Sequence, residues 1–333
     1  MEILTERREE AFYRSAAFLS YFENARLGVL DIETTGLSPG AGRVVLAGLL
    51  TPEKGGLSLR QYFSSHRDSE GALLNAVAEE IRKLDAVITY NGDSFDLPFL
   101  RERAERRGLS FPEGFHSLDL YQIFHRHSPF REFLPDLKQK TLERFAGLSP
   151  DRLDEIDGKK SVELYYAYCR RRDPSLKEKI LLHNRDDVLQ LARLLRLLDK
   201  LDLHEILYAR GFPVVREGRR ALIKRIALEG CRLRVRGTAA GGAQDHYAYG
   251  ESYFFRRQAS TGEFLLELTL AQEESYLFID LTPLPFPLEA LERSPDCHSG
   301  YLLLAEGPAV YHSTTNRLLQ AILGALLTGQ TPL

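Results

Sequence analysis

The order of strand-like and helix-like segments in the first 200 residues limits most strongly how this chain can fold. Residues 27–30, 43–50 and 57–63 read as three apolar strands separated by tight turns, a pattern typical of antiparallel neighbours. A helix at residues 69–84 and a strand at 86–90 then begin an alternation of helices and strands. This order predicts an α/β fold in which a mixed sheet is flanked by helices.

A change in composition near residue 200 predicts two domains, residues 1–200 and residues 201–333. The second reads as a smaller β-rich domain with a terminal helix. Residues 210–257 carry eleven Arg or Lys and four Asp or Glu, whereas residues 258–333 carry two and nine. The basic segment is therefore a candidate binding surface for a polyanion.

The overall composition excludes several classes of protein. Of the 333 residues, 44% are hydrophobic and 27% are charged, which is ordinary for a globular protein. No run approaches the ~18 apolar residues that a membrane helix needs, and the first 14 residues carry charges of both signs, unlike a signal peptide. The three cysteines are far apart, which favours neither disulfides nor a zinc site. We expect a cytoplasmic protein without a membrane partner.

Acidic residues follow two of the predicted strands. Asp31 and Glu33 end the first apolar strand, where side chains two positions apart point to the same side and can bind one cation. Asp96 lies in the first turn of the helix that follows residues 86–90, where the helix dipole favours a carboxylate. For Asp96 alone, helix capping explains the residue equally well.

A third acidic motif lies on the last long helix of the first domain. A helical wheel places Asp187 near the buried face and Asp186 far from it. His183 precedes Asp187 by four residues, so both side chains can face one site. The alternative for His183 is a solvent-facing residue at the border of the buried face.

These acids predict a metal centre. Four carboxylates that converge without a matching Lys or Arg repel one another and raise their own pKa values. Divalent cations remove this repulsion, and all-oxygen ligands favour Mg²⁺ or Mn²⁺ over zinc. Two such ions roughly 3.5–4 Å apart support in-line hydrolysis of a phosphodiester. We predict Asp31, Glu33, Asp96 and Asp187 as ligands of two divalent cations, Mg²⁺ or Mn²⁺, and His183 as the general base.

With these residues, the first 200 positions resemble the DEDD superfamily of 3′–5′ exonucleases, which have a ribonuclease H-like fold. Asp31 and Glu33 match its first motif, Asp96 its second and Asp187 its third. Residues 90–100 are similar to the second motif of family B polymerase proofreading domains. The chain is most similar to the YprB-type bacterial branch of ribonuclease H-like exonuclease proteins.

The resemblance implies a role for each acid. Asp31 would bridge both metals, Glu33 and Asp187 would complete one metal site, and Asp96 would serve the other. The superfamily has one subclass with a tyrosine four residues before the last Asp and another with a histidine five residues before it. His183 departs from both, because it is a histidine at the tyrosine spacing.

The resemblance also implies a 3′–5′ exonuclease that hydrolyses single-stranded DNA or RNA by a two-metal mechanism. Because the sequence has no polymerase motifs, we expect a freestanding nuclease rather than a proofreading module. One alternative is a module on the same fold that binds nucleic acid without cutting it. Another is a ribonuclease H-type endonuclease, which would not need a free 3′ end. The sequence does not distinguish DNA from RNA as the partner.

Six residues are predicted to contact nucleic acid. Three lie within the first two motifs: Thr34, Asn91 and Phe95. The other three lie on one face of an alternating strand in the second domain, with tyrosines and further arginines downstream: Arg232, Arg234 and Arg236. Aromatic residues beside arginines are typical of surfaces that bind single strands. A solvated strand face explains these arginines equally well.

Overall fold

The structure is a computed structural model that describes three stretches of the chain, namely residues 1–154, 156–241 and 243–329. The chain divides into two compact units. The first contains Met1–Ser15 and Arg26–Leu201. The second contains Ala16–Ala25 and the chain from Asp202 onward.

The first unit is built on a six-stranded mixed sheet. Its strands are β1 (Glu2–Arg8), β2 (Leu27–Thr34), β3 (Val44–Glu53), β4 (Gly56–Phe63), β5 (Ala86–Thr89) and β6 (His116–Asp119). Their order in the sheet is β1-β4-β3-β2-β5-β6. The four strands from β1 to β2 pair antiparallel, whereas β5 runs parallel to β2 and to β6. The predicted mixed sheet and its antiparallel trio, β2 to β4, are confirmed.

The described part of the first unit has seven α-helices, and helices lie on both faces of the sheet. They are α2 (Glu70–Arg82), α3 (Asp96–Glu105), α4 (Leu120–His127), α5 (Phe130–Phe133), α6 (Gln139–Phe145), α7 (Gly158–Arg171) and α8 (Pro174–Leu194). On one face, Leu73 of α2 and Phe99 of α3 share a core with Leu30 of β2. On the other, Tyr165 of α7 and Ile180 of α8 pack with strand residues. The sheet is thus buried on both faces, as its continuously apolar strands require.

The second unit is β-rich and includes a long terminal helix, as predicted. One sheet has the order β10-β11-β12-β9-β8-β7 and is antiparallel throughout. Its strands are β7 (Pro213–Arg216), β8 (Arg219–Glu229), β9 (Arg232–Ala239), β10 (His246–Tyr249), β11 (Tyr253–Arg257) and β12 (Glu263–Thr269). A smaller sheet contains β13 (Ala271–Glu273), β14 (Tyr276–Asp280), β15 (Cys297–His298), β16 (Tyr301–Glu306) and β17 (Ala309–Val310).

The helices of the second unit are α1 (Ala16–Phe22), α9 (Leu203–Arg210), α10 (Glu289–Glu292) and α11 (His312–Thr328). The predicted boundary assigned residues 16–25 to the first domain, but α1 belongs to the second unit. Tyr21 of α1 packs edge-on against Phe212 at 5.0 Å, and Asn316 of α11 donates a hydrogen bond to its hydroxyl at 2.8 Å. A single boundary near residue 200 cannot describe a segment near the start of the chain that belongs to the second unit. Across the described stretches, each helix is too short or too polar to cross a bilayer.

Candidate active site

Strand β2 carries the first two acids of the site. Asp31 and Glu33 alternate with the buried Ile32, so both carboxylates lie on the opposite side of β2 from Ile32. The side-chain amide of Asn184 on α8 donates to Asp31 Oδ2 at 2.8 Å and to its carbonyl at 3.2 Å. These bonds hold the first acid against α8.

Gly48 explains how α8 comes so close to the sheet. It pairs with Asp31 across β2 and β3. A Cβ atom at this position would lie 2.9 Å from Val188 Cγ2 and closer still to the Asn184 side chain. Only glycine therefore leaves room for the helix that carries the third motif.

Asp96 is the first residue of α3, as the motif predicts. Its Oδ1 accepts a hydrogen bond from the backbone N–H of Ile32 at 3.1 Å. That N–H lies between Asp31 and Glu33 in the chain, so the bond holds Asp96 beside both of them. The N-cap of α3 is Phe95, without a side-chain cap. The hydrogen bond that Asp96 accepts from Ile32 of β2 therefore explains the position of Asp96 better than helix capping does.

The third motif brings His183 and Asp187 to the same site. His183 Nε2 lies 3.5 Å from Glu33 Oε1 and 3.5 Å from Asp187 Oδ2. The imidazole is buried, which excludes the alternative of a solvent-facing histidine. Asp186, predicted to point away from the buried face, is also buried, and its Oδ2 accepts N–H bonds from Leu153 at 2.6 Å and Asp154 at 2.9 Å. The helical wheel was wrong for Asp186, because the loop that contains Leu153 and Asp154 covers that side of α8.

Asp154 determines which nitrogen of His183 faces the acids. Its Oδ2 lies 2.7 Å from Nδ1, and because an ionised carboxylate only accepts hydrogen bonds, Nδ1–H is the donor. This leaves Nε2 directed at Glu33 and Asp187. Burial lowers the pKa of His183, but the bond to Asp154 and the nearby acids outweigh it, so that its pKa lies above the ordinary value.

A buried arginine pairs with one of the predicted ligands. Arg152 forms ion pairs with Asp187, Asp154 and Glu143, the last at 2.9 Å. The expectation that the acids converge without a matching Lys or Arg is therefore wrong for Asp187. Burial lowers the pKa of Arg152, but the negative charges of Asp187 and the other acids raise it by more, so that the pKa lies above its ordinary value.

Burial and mutual repulsion raise the pKa values of three of the acids. Burial raises the pKa of Asp31 well above its ordinary value, and the charges of Asp187 and Asp96 raise it further. Burial also raises the pKa of Glu33 to about 7, against the opposing charge of His183. The pKa of Asp96 rises to about 7 for the same reason, although backbone hydrogen bonds oppose the shift. A bound divalent cation would stabilise the ionised form of all three.

The donor groups fit a hard divalent cation. Ligand atoms of Glu33, His183 and Asp187 lie within 4.8 Å of one another. Carboxylates suit Mg²⁺ and Mn²⁺, and an imidazole is compatible with several transition-metal ions. His183 is consequently a candidate ligand as well as a candidate base.

The other predicted contact residues of the first unit have local partners. The hydroxyl of Thr34 donates to the Gly36 carbonyl at 2.8 Å. Asn91 has a left-handed backbone, with φ 63°, and its N–H donates to Asp119 Oδ1 at 2.8 Å. Phe95 packs against Phe99 at 5.5 Å. These contacts shape the loops beside the acids, and binding of nucleic acid by the three residues stays a prediction.

The predicted arginines of the second unit lie on β9. Arg232 and Arg236 are exposed. Arg234 Nε lies 2.5 Å from Glu267 Oε1, and its Nη1 lies 2.9 Å from Glu229 Oε2. The three arginines thus differ, because among the described residues glutamates pair with Arg234 and with neither of the other two.

Sequence reasoning missed Arg152, Asp154 and the structural role of Asn184. Asn184 lies within the third motif, and its spacing from Asp187 was the one available signal. Arg152 and Asp154 lie in a loop without periodicity, about 30 residues before α8 reaches the site. Their position depends on tertiary packing and leaves no local pattern.

Sequence comparison identifies the class to which this site and fold belong. A profile of the RNase_H superfamily matches residues 29–199, and the chain belongs to this superfamily. A curated relative is the uncharacterized protein YprB of Bacillus subtilis, 28% identical over 203 residues, which cover 58% of this chain and 46% of YprB. DNA polymerase 1 of Sulfolobus acidocaldarius is 30% identical over 158 residues, or 42% of this chain and 18% of the polymerase. The predicted ribonuclease H-like resemblance is confirmed.

The chain spans less than half the length of these two relatives. Among solved structures, the family B DNA polymerase of Pyrobaculum calidifontis matches with a TM-score of 0.42 and 20% identity, over 52% of this chain and 24% of that one. Exonuclease I of E. coli in complex with a dT13 oligonucleotide matches with a TM-score of 0.31 and 13% identity, over 63% of this chain and 55% of that one.

Proposed function

We propose that this chain is a metal-dependent nuclease that removes nucleotides from the 3′ end of single-stranded DNA or RNA. The observation that carries the proposal is the convergence of four acids from β2, α3 and α8 on one site, namely Asp31, Glu33, Asp96 and Asp187. Membership of the RNase_H superfamily supports it. So does the relationship to DNA polymerases, whose substrate is nucleic acid.

In this proposal the four acids hold two divalent cations, Mg²⁺ or Mn²⁺. Such cations favour ionisation of a water molecule and neutralise charge on the scissile phosphate. In its neutral form, His183 accepts the proton of the attacking water at Nε2, and the water oxygen forms a bond to phosphorus as the bond from phosphorus to O3′ breaks. O3′ leaves with the shortened strand and takes up a proton from solvent. Asp154 stabilises the resulting imidazolium through Nδ1–H.

One observation favours a second candidate, a module that binds nucleic acid without cutting it. Arg152 neutralises Asp187 in the structure and so takes the place of a cation at one ligand. If this ion pair persists in the presence of metal, the corresponding metal site does not form. The experiment below therefore tests binding and cleavage together.

Linear and circular single-stranded DNA and RNA, the linear ones labelled at the 5′ end, are incubated with the protein in Mg²⁺, Mn²⁺ or EDTA. We expect linear substrates to shorten in steps from the 3′ end, circles to stay intact, and EDTA to stop the reaction. Asp187→Asn should be inactive. Glu178→Gln, an exposed acid on the same helix, should keep full activity.

Three results would contradict the proposal. Cleavage of circles would indicate an endonuclease. Binding of uncut oligonucleotides in every metal would indicate the non-cutting module. Full activity of Asp187→Asn would exclude the third motif from the site.

A further inference from the structure

The larger sheet of the second unit has one buried and one open face. Val235 of β9, Phe255 of β11 and Leu266 of β12 are buried on the same side. Their neighbours along each strand point the other way. Because the residues on the open face do not pack in the core, the core does not determine which residue types occur there.

The register of this sheet places basic and aromatic side chains in one row on the open face. Arg225 of β8 pairs with Arg236 of β9, which pairs with Leu265 of β12. Leu265 in turn pairs with Arg256 of β11, and Arg256 with Tyr247 of β10. Paired residues of antiparallel strands share a face, so five successive strands contribute to the row. We call these five residues the basic row.

The charges of the basic row differ from those of its neighbour. Arg225, Arg236 and Arg256 are exposed, and within the described stretches no carboxylate forms an ion pair with them. In the adjacent row, Glu267 and Arg234 pair with each other. Arg234 also pairs with Glu229, so two acids share this one arginine, and the row on the other side carries the exposed Glu263. Among the described residues, the basic row itself keeps three arginines without an ion-paired carboxylate.

The dimensions and chemistry of the basic row match an extended polyanion that carries flat groups. Strands in a sheet lie about 4.8 Å apart, so the row is about 19 Å long from β10 to β8. At its β10 end, Tyr247 is 55% exposed, and Tyr249 on the same strand is 79% exposed. Arginines that neutralise phosphates and tyrosines on which bases stack are the two components of single-strand recognition. An acidic peptide would use the charges but not the exposed rings.

From these observations we infer that the open face of this sheet is a second nucleic-acid site, on which a single strand lies along the basic row with a base stacked on Tyr247. The inference rests on the proposed function for its choice of ligand. The sequence predicted that Arg232, Arg234 and Arg236 bind nucleic acid. The inference assigns binding to the basic row instead, which shares only Arg236 with that set. It also assigns a role to the second unit.

Binding is measured with the full chain in EDTA, so that no cleavage occurs, by fluorescence anisotropy of 5′-labelled dT20 and U20 at several salt concentrations. We expect Arg236→Gln/Arg256→Gln to bind at least about tenfold more weakly and to reduce the slope of log affinity against log salt by about 1.4, which corresponds to two phosphate contacts. The control Arg293→Gln/Arg317→Gln removes the same charge from exposed arginines elsewhere in this unit and should leave the slope unchanged.

Tyr247→Ala tests the stacking component. It should weaken oligonucleotide binding at least about fivefold and leave competition by inorganic polyphosphate, which has no bases, unchanged. Equal binding by the two double variants would overturn the inference. An unaffected Tyr247→Ala would also overturn it and leave only a non-specific basic surface.

The Mg²⁺-dependent cleavage assay separates this inference from the proposed function. If 3′ shortening persists while the basic row variants bind normally, the inference fails and the nuclease proposal stands. If the row binds single strands but no cleavage occurs in any metal, the nuclease proposal fails and the second site stands.

Discussion

Asp154 connects a loop to the chemistry of the site through one hydrogen bond. It fixes the His183 ring so that Nε2 faces Glu33 and Asp187. Asp154 does not contact the reacting atoms in this arrangement and acts as a positioning residue.

Asp154→Asn should lower kcat by about 10- to 100-fold with little change in KM, a loss typical of residues that orient a catalytic histidine or metal ligand. Asn can still accept a hydrogen bond but no longer stabilises an imidazolium. The ¹⁵N chemical shifts of the His183 ring should therefore move towards the neutral forms. Asp151→Asn, an exposed acid in the same loop, is the control. Unchanged ring shifts would show that Asp154 does not position His183.

The individual acids could be predicted from the sequence, whereas their partners could not. Asp31 and Glu33 follow from strand alternation, and Asp187 follows from its place on an amphipathic helix. Arg152 has no such signal, because a loop residue acquires its partners only when the chain folds. Its ion pair with Asp187 is the main difference between the expected and observed sites.

At the scale of elements, the contact between α8 and β3 positions the third motif. Gly48→Ala should destabilise the protein by about 1–3 kcal/mol, because the added methyl group overpacks against Asn184 and Val188. Displacement of Asn184 should also reduce activity through loss of its bond to Asp31. Denaturant unfolding and the cleavage assay measure these effects. Gly71→Ala, on α2 with open space around it, should be neutral or stabilising, and an equal effect of both changes would contradict this explanation.

A buried ion pair connects α2 to α3 and to β3. Glu70 accepts hydrogen bonds from Arg103 at 2.8 and 2.6 Å and from the Val44 N–H at 3.0 Å. Burial raises the pKa of Glu70, but the bonds from Arg103 and Val44 outweigh it, so that the pKa lies below its ordinary value. A lowered folded-state pKa means that this stabilisation is complete above the unfolded-state pKa and is lost as the pH falls through the folded-state value.

Glu70→Gln should therefore lower the free energy of unfolding by roughly 3 kcal/mol at pH 7, since it leaves a buried guanidinium unpaired. The difference from the native protein should begin to shrink as the pH falls below the unfolded-state pKa of about 4.3 and should disappear only below the lower folded-state pKa, where Glu70 is protonated in both states. Urea unfolding across this pH range measures both quantities. Glu79→Gln, exposed on the same helix, should have no effect, and a pH-independent loss would argue against the ion pair.

Strand prediction succeeded where one face or both faces are apolar and failed at β1, which forms one edge of the sheet. Strands β2 to β4 are apolar enough to be recognised. Strand β1 was not predicted, because Glu2, Glu6 and Arg8 lie on its half-buried side while the apolar Ile3 lies on its exposed side. Such charges are a common feature of edge strands and mask the strand pattern.

At the scale of the whole molecule, metal binding should stabilise the fold. Ligand binding to the native state adds about 2.7 kcal/mol at a concentration 100 times Kd. Mn²⁺ should therefore raise the Tm of the native protein. Asp31→Asn should remove this increase and, because it relieves repulsion among buried acids, should raise the Tm in EDTA. A lower Tm in EDTA together with an unchanged response to Mn²⁺ would show that Asp31 has a structural role only.

The two-unit organisation was predictable in outline from the change in composition near residue 200. The assignment of α1 to the second unit was not, because residues 16–22 are apolar in a way that suits either core. Tertiary contacts, such as the packing of Tyr21 on Phe212 and its hydrogen bond with Asn316, identify the unit to which α1 belongs.

The most direct test of the central claim is a time course on 5′-labelled single-stranded DNA and RNA with Mn²⁺, for the native protein and for Asp96→Asn. Asp96 belongs to the second motif, and the backbone bond that holds it can be kept by the amide oxygen of Asn, so the fold should survive. The account predicts a ladder that shortens from the 3′ end for the native protein and loss of cleavage by at least about 100-fold for the variant. Equal ladders from both proteins would contradict it.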